Sequence, residues 1–297
     1  MRRLLLCTAV SAVLPGFSAA AFAQSTAVKP VQVTLDRSLR GTAATAVILD
    51  GSDGRLIAVE RRRTAAWQSR APGSTLKPFY LQAALERGLI RDSTILSCQR
   101  HLRIAGHDLT CTHPAALTAF SADEAIAYSC NSYFAQLAAR FAPGETAAVL
   151  RVYGFGTPPH LFASESAGEV RTPPNEAARA LQVLGVADIT ATPAQLAEAY
   201  WLLDRRADLA PALRRGLEES VTYGMAHPAA TDGVVLLGKT GTASDPGERW
   251  THGWFAGIAS CGARRIVLVI FVPHGDGGDA AMLAHRFLSA WRNGSAR

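Results

Sequence analysis

Lysine is nearly missing from this chain of 297 residues. Of its 30 basic side chains only Lys29, Lys77 and Lys239 are lysine, and the remaining 27 are arginine. That scarcity excludes lysine as a general surface charge and singles out the few positions that keep it. A buried lysine can lose its proton near neutral pH, whereas a guanidinium stays charged. Lys77, in the stretch "APGSTLKPF", is therefore a candidate for proton chemistry. Other shortages narrow the class further. Charged residues make up 18% against 48% hydrophobic, which excludes an intrinsically disordered chain. No internal repeat is visible, which excludes a solenoid. Beyond the first 23 residues no run is long and apolar enough to span a membrane. The Arg61-Arg62-Arg63 cluster has no interleaved aromatics, so it reads as a solvated face and no nucleic-acid partner is expected.

The start has a charged Met1-Arg2-Arg3, an apolar run from Leu4 to Phe22, and a small-residue end at Ala21-Phe22-Ala23. These are the three sections of a secretory signal, with cleavage expected after Ala23. An uncleaved segment would leave the protein membrane-associated, although Pro15 and Gly16 interrupt the run. Either way the expected location is periplasmic or extracytoplasmic. Four cysteines follow the signal: Cys98, Cys111, Cys130 and Cys261. In an oxidising compartment the close pair Cys98 and Cys111 reads as a disulfide closing a polar loop. His101 and His113 beside them also permit zinc, but the irregular spacing is a weak metal signature. Neither a metal nor a cofactor is expected. Cys130 and Cys261 are expected as buried free thiols.

Residues 24–43 are polar and read as an N-terminal arm or linker, followed by one folded unit over 44–297. Two β-branched runs around Gly51-Ser52-Asp53-Gly54 form a hairpin signature. Helical apolar spacing runs from Ser74 to about Arg87, with Pro78 tolerated in the first turn. Residues 91–224 are helix-rich, with a capping box at Ser121 and Glu124 and a Thr192-Pro193 helix start. Three strand candidates and a terminal amphipathic helix complete the chain. The expected fold is α+β: an antiparallel five-stranded sheet flanked by helices, formed by about 44–90 and 225–297, with an all-helical lobe of about 91–224 inserted. A cleft between the lobes is the expected ligand site.

Three short stretches carry the chemistry. Ser74 and Lys77 are one helical turn apart, so a hydroxyl and its base share a face. Ser129-Cys130-Asn131 places a hydroxyl and a carboxamide at a turn. Lys239-Thr240-Gly241-Thr242 ends a strand with a cation, two hydroxyls and a glycine that permits close backbone approach. Both lysines outside the arm fall in stretches whose chemistry calls for lysine.

These three motifs, in this order, resemble the active-site serine penicillin-recognising enzymes, whose signature set is Ser-x-x-Lys, Ser-Asp-Asn and Lys-Thr-Gly. Within that family the wording is similar to the transpeptidase domain of penicillin-binding proteins, through "PGSTLKPF", "SCNSYFAQLA", "YGFG", "ESAGEV", "TPAQLAEAY" and "GKTGTA". The resemblance runs from about Ala46 to the terminal helix and implies a β-lactamase/transpeptidase-like fold. It implies Ser74 as acylated nucleophile, Lys77 as its base, and Ser129 as the group passing a proton to the departing amine. Asn131 would hold the substrate amide, Lys239 would set the electrostatics, Thr240 and Thr242 would bind the substrate carboxylate, and Gly241 between them belongs to the same substrate-binding strand. The backbone N–H groups of Ser74 and Thr242 would form the oxyanion hole. The implied activity is D,D-transpeptidation or D,D-carboxypeptidation of peptidoglycan stem peptides, with β-lactams as acylating ligands and another cell-wall enzyme supplying glycan synthesis or localisation. A β-lactamase or a non-turnover penicillin-binding module is the alternative. A β-lactamase would need a water-activating group, and Glu165, Glu169 and Glu176 lack the usual surroundings. In "YGFG" Phe155 stands where class D β-lactamases have asparagine. Trp254 and Phe255 read as strand packing, and His252 as an exposed or capped histidine near the cleft edge.

Overall fold

The computed structural model describes residues 30–294, so the expected signal and its cleavage point lie outside the described residues. Five strands form one antiparallel sheet: β1 (Thr45–Asp50), β2 (Leu56–Glu60), β3 (Val235–Ala243), β4 (His252–Cys261) and β5 (Arg264–Val272), in the order β2-β1-β5-β4-β3. The β1–β2 hairpin turns over Gly51–Arg55, as the Gly-Ser-Asp-Gly cluster predicts. The first two and last three strands of the chain thus meet at the β1–β5 pairing, with Val47 opposite Val269.

Both faces of this sheet are covered, and the two-residue period of the strands sorts their side chains between two cores. Val47, Leu49, Val267, Val269, Phe271, Trp254 and Ala256 face the helical lobe. Ala46, Ile48, Leu268, Ile270 and Phe255 face the other side. That second core is closed by two helices, α1 (residues 30–38) and α10 (Gly277–Asn293). The arm expected over 24–43 is therefore partly ordered: Leu35 and Leu39 are fully buried against the sheet, and Gln32 pairs with the backbone of Val59 on β2.

Between the two sheet-forming segments run α2 (Arg62–Trp67), α3 (Lys77–Glu86), α4 (Ala122–Ala127), α5 (Asn131–Ala138), α6 (Glu145–Val152), α7 (Glu176–Val183), α8 (Pro193–Asp204) and α9 (Pro211–Thr222). Glu124 accepts the backbone N–H of Ser121 at 2.9 Å, and Thr192 caps α8 with Pro193 in its first turn. The inserted lobe is not all-helical as expected. Three two-stranded ribbons lie within it, one of them pairing Arg103–Ile104 with His107–Asp108. The turn residues Ala105 and Gly106 have φ of 46° and 88°, the left-handed pair that a two-residue hairpin demands. The polar segment 98–113 lacks the apolar period for a helix, and hairpin chemistry decides its local form. No helix among the described residues is long and apolar enough to cross a membrane.

Candidate active site

A 3₁₀ turn, Gly73–Leu76, delivers Ser74 to the start of α3, where Lys77 is the first residue. Gly73 has φ of 55°, and a Cβ there would stand 2.7 Å from the Thr242 carbonyl. A Cβ on Gly241 would stand 2.6 Å from the Pro72 carbonyl. The two glycines therefore let the backbone at Ser74 lie directly against the backbone at Thr242. Six further hydrogen bonds fix the turn and the segment leading into it. The Ala71 carbonyl accepts from His252 Nε2 at 2.8 Å and from Trp254 Nε1 at 3.0 Å. The Thr75 carbonyl accepts from Tyr200 of α8 at 2.9 Å. Arg70 donates to Asp245 at 2.7 Å and Glu248 at 2.8 Å, while Asp245 also accepts the Ala71 N–H at 3.1 Å. His252 is thus buried rather than exposed, and Trp254 and Phe255 are fully buried strand residues as expected.

Lys77 has no solvent exposure. Its Nζ donates to the Ser129 carbonyl at 2.8 Å, to Ser129 Oγ at 3.2 Å and to Asn131 Oδ1 at 2.7 Å, and it lies 5.3 Å from the centre of the Phe134 ring. Burial lowers its pKa to about 8, against a smaller raising effect of the Cys130 and Cys111 thiols. Lys239 is equally buried and donates to the Thr240 carbonyl at 3.0 Å. Burial, with Lys77 as a like charge nearby, holds it well below the ordinary lysine range.

Ser129 has φ of 53°, a strained value for a residue with a Cβ. Its N–H donates to Ile126 at 3.1 Å and that of Cys130 to Ala125 at 3.0 Å. Those are the two bonds of a Schellman motif ending α4, with Ser129 in the position glycine usually takes. Cys130 then caps α5, so its first residue is Asn131, and Asn131 Nδ2 donates to the Leu109 carbonyl at 3.0 Å.

Ser74, Ser129, Asn131, Thr240, Gly241 and Thr242 all line one cleft of about 620 Å³. Lys77 sits beneath its floor through Ser129 and Asn131, and Lys239 within the strand that forms its wall. Sequence reasoning missed Thr110 and Thr112 on the loop side, and the N-terminus of α10, where Gly277 N–H donates to Thr242 Oγ1 at 3.0 Å. The signal for that helix start was legible as Asp276 followed three residues later by Asp279, which form a capping box. Glu165, Glu169 and Glu176 are not among the residues lining the cleft. Glu165 accepts the Leu161 N–H, Glu169 pairs with Arg171, and Glu176 opens α7. A separate depression of about 470 Å³ at Arg62, Trp67 and Phe162 contains none of the motif residues.

The structure carries no bond between the two cysteines expected as a disulfide. Cys98 Sγ and Cys111 Sγ are 3.7 Å apart and both are free thiols, well beyond the ~2.05 Å of a bond. The space between them is shared with two further groups, His113 and Cys130. Cys130 is buried and free as expected, while Cys261 is free but only half-buried.

A five-stranded antiparallel sheet with helices on both faces, and a Ser-x-x-Lys turn laid against the Lys-Thr-Gly strand, define the β-lactamase/transpeptidase fold. The profile of the penicillin binding protein transpeptidase domain matches residues 44–288, and the chain belongs to that family. Among solved structures, the transpeptidase domain of penicillin-binding protein 3 from Burkholderia pseudomallei is 20% identical with a TM-score of 0.79, covering 90% of this chain and 95% of that one. A peptidoglycan glycosyltransferase from Burkholderia ambifaria is 21% identical with a TM-score of 0.76, over 90% and 95%. Pseudomonas aeruginosa PBP2, solved with WCK 5153, is 20% identical with a TM-score of 0.75, over 88% and 76%. Among curated proteins no sequence matches. The protein is a transpeptidase-type cell-wall enzyme of the penicillin-binding class, a class that is typically extracytoplasmic.

Proposed function

We propose that the protein is a serine acyl-transferase of peptidoglycan stem peptides, a D,D-transpeptidase or D,D-carboxypeptidase, working through a Ser74 acyl-enzyme that β-lactams also form. The observation that carries this reading is the convergence of Ser74, Ser129, Asn131 and Thr240–Thr242 on one cleft, over a lysine whose proton burial has loosened. As an ammonium Lys77 can supply three donors to its three acceptors. As a neutral amine it keeps two donors, enough for the Ser129 carbonyl and Asn131 Oδ1, and gains a lone pair that can accept the Ser74 proton. The neutral amine takes the Ser74 proton as Oγ attacks the carbonyl carbon of the penultimate D-residue. Ser129, in contact with the resulting ammonium, passes that proton to the departing amine.

The developing oxyanion is met by the N–H groups of Ser74 and Thr242, and losing one such donor costs on the order of 3 kcal/mol in acyl transfer. Thr242 Oγ1 already accepts from Gly277, so its hydroxyl hydrogen is left to donate to the substrate carboxylate. The first turn of α10 adds the positive end of a helix dipole on the same side. Water or an amine acceptor then releases the acyl group, and which one arrives decides hydrolysis or transfer.

A fluorescent penicillin tests the scheme. Stable covalent label that disappears in Ser74→Ala is the expected result. Rapid multiple turnover of the penicillin would identify a β-lactamase, and absence of label would overturn acyl-enzyme chemistry. Turnover of a stem pentapeptide separates the enzyme from a non-turnover binding module.

A further inference from the structure

Four side chains outside the catalytic set gather beside residues of the cleft: Cys111 and His113 adjoin Thr110 and Thr112, and Cys130 lies between Ser129 and Asn131. Cys98 Sγ lies 3.2 Å from His113 Nε2 and 3.7 Å from Cys111 Sγ, and Cys111 Sγ lies 3.9 Å from Cys130 Sγ. All four ligand atoms fall within 4.8 Å of one another. Zinc bonds of ~2.3 Å to sulfur and ~2.0 Å to nitrogen give tetrahedron edges of about 3.8 Å between sulfurs and about 3.6 Å from sulfur to nitrogen. The observed separations are close to those edges. A disulfide would use two of the thiols and leave a buried thiol and a buried imidazole crowded against it for no gain.

The surroundings suit a metal as well. His113 is buried and its Nδ1 lies 3.1 Å from the Pro114 carbonyl. That contact places the proton on Nδ1 and frees the Nε2 lone pair toward the thiols, the usual arrangement behind a metal-bound histidine. Phe120 packs edge-on to the imidazole at 4.6 Å, and Cys111 and Cys130 belong to the apolar core, which excludes competing water. Half of the residues in the segment that carries three of the groups, 98–113, are exposed, and Leu102, Ile104 and Leu109 are only partly buried against the core. Two hydrogen bonds, from Gln99 N–H to Ser132 Oγ and from Asn131 Nδ2 to the Leu109 carbonyl, tie it to the N-terminal turn of α5, and a shared metal would add a stronger link.

We infer that Cys98, Cys111, His113 and Cys130 form a tetrahedral Cys3His site for a zinc-type divalent cation, which ties the 98–113 loop to the Ser129-Cys130-Asn131 turn. On binding, three thiols release three protons to solvent and the imidazole binds neutral, so a dication gives a centre of net charge −1. Cys130 is the middle residue of that turn, and the tied loop also supplies the Leu109 carbonyl to Asn131. The four ligands are positioning residues. That half of the inference rests on the proposed acyl-transfer reading, whereas metal binding itself does not.

The experiment is metal analysis of the full chain purified with a reductant and without chelator, followed by cobalt substitution. About one equivalent of zinc per chain and the absorption of tetrahedral thiolate-bound cobalt are expected. Cys98→Ser and His113→Ala should each retain less than about a tenth of that metal; both measurements on the unmutated protein stand even if a variant fails to fold. Protein that takes up neither metal under reducing conditions, or a Cys98–Cys111 disulfide found in the isolated chain, overturns the site. Penicillin acylation should fall at least tenfold on metal removal and return with zinc. Bound metal with unchanged acylation would overturn the positioning role alone.

Discussion

The Nζ of Lys77 lies 2.8 Å from the carbonyl oxygen of Ser129, in a place without solvent. A carbonyl can only accept, so this contact persists in either protonation state, and the choice between ammonium and amine falls to the Ser129 hydroxyl at 3.2 Å. With a pKa of about 8, only roughly a tenth of Lys77 is neutral at pH 7. The rate of penicillin acylation should therefore climb about tenfold per pH unit below 8 and level off above it. Stopped-flow acylation rates across pH 6 to 10 check the profile, where these limits are approximate bounds set around the same pKa. A flat profile would show that neutral Lys77 is not the base. The same depressed pKa has a stability consequence of fixed sign: the unfolded chain holds this proton more tightly, so Lys77 costs stability below about pH 8. That cost is relieved as pH rises toward the ordinary lysine value.

Lys77→Arg keeps the charge and approximate length while removing the ability to become neutral. Its guanidinium, with five N–H donors, also demands more acceptors than the three that the pocket offers. Covalent penicillin labelling should fall by about a hundredfold or more, the scale of a lost general base. Circular dichroism and thermal melting establish that the variant is folded. Retained labelling would mean that the scarcity of lysine was coincidence.

The lysines show how far the sequence carries. Lys77 and Lys239 were legible because arginine occupies nearly every other basic position, and the strands were legible because β-branched runs are local, whereas α1, which covers one face of the sheet, read as a polar arm. Ser129 in the left-handed region was not, since serine carries no signal for a position that glycine normally takes. Tyr200, His252 and Trp254 reach the turn around Ser74 from more than a hundred residues away, and no spacing rule reports such contacts. Cys98 and Cys111 were read as neighbours correctly, but Cys130, in a different motif, and His113 joined them only once the loop folded onto α5. That is why a pair suggested a disulfide where four groups gather.

Ser129→Gly separates strain from function. Glycine accepts φ of 53° without penalty, and the two Schellman bonds need only backbone. Stability should therefore rise by roughly 1 kcal/mol, less the entropy glycine returns to the unfolded chain. Acylation by penicillin should fall because the hydroxyl facing Lys77 is gone. Thermal melting alongside labelling kinetics reads both. A variant that is less stable as well as less active would show that Ser129 supports the turn through its side chain.

Asp245 binds the segment before the nucleophile turn from the loop between β3 and β4. Asp245→Ala removes its bond to Arg70 and leaves the Ala71 N–H without its acceptor. The cost should be about 1–3 kcal/mol, the penalty for an unpaired polar group in a partly buried place. Because Ala71 leads directly into Gly73-Ser74, the acylation rate should fall while Ser74 remains reactive. An unchanged melting temperature in this variant would mean the Arg70–Asp245 contact is not formed in solution.

Gly73→Ala tests the close approach on which the proposed oxyanion geometry depends. The new methyl must avoid the Thr242 carbonyl at 2.7 Å while the backbone keeps φ of 55°, and neither the strand nor the turn can yield cheaply. β3 is hydrogen-bonded along its length to β4, with Thr242 opposite Gly253. A Cβ on Gly253 would itself meet the Asp276 backbone, so retreat in that direction is blocked. The turn is held through Ala71 and Thr75 by His252, Trp254 and Tyr200. A loss of about 1–3 kcal/mol in stability is expected from strain alone. Acylation should drop further than that stability loss explains, because widening the gap separates the N–H groups of Ser74 and Thr242. Comparing the melting temperature with the acylation rate at a temperature where the variant is fully folded distinguishes the two. Wild-type acylation in a folded Gly73→Ala protein would show that the two backbones do not have to touch for the oxyanion to be held.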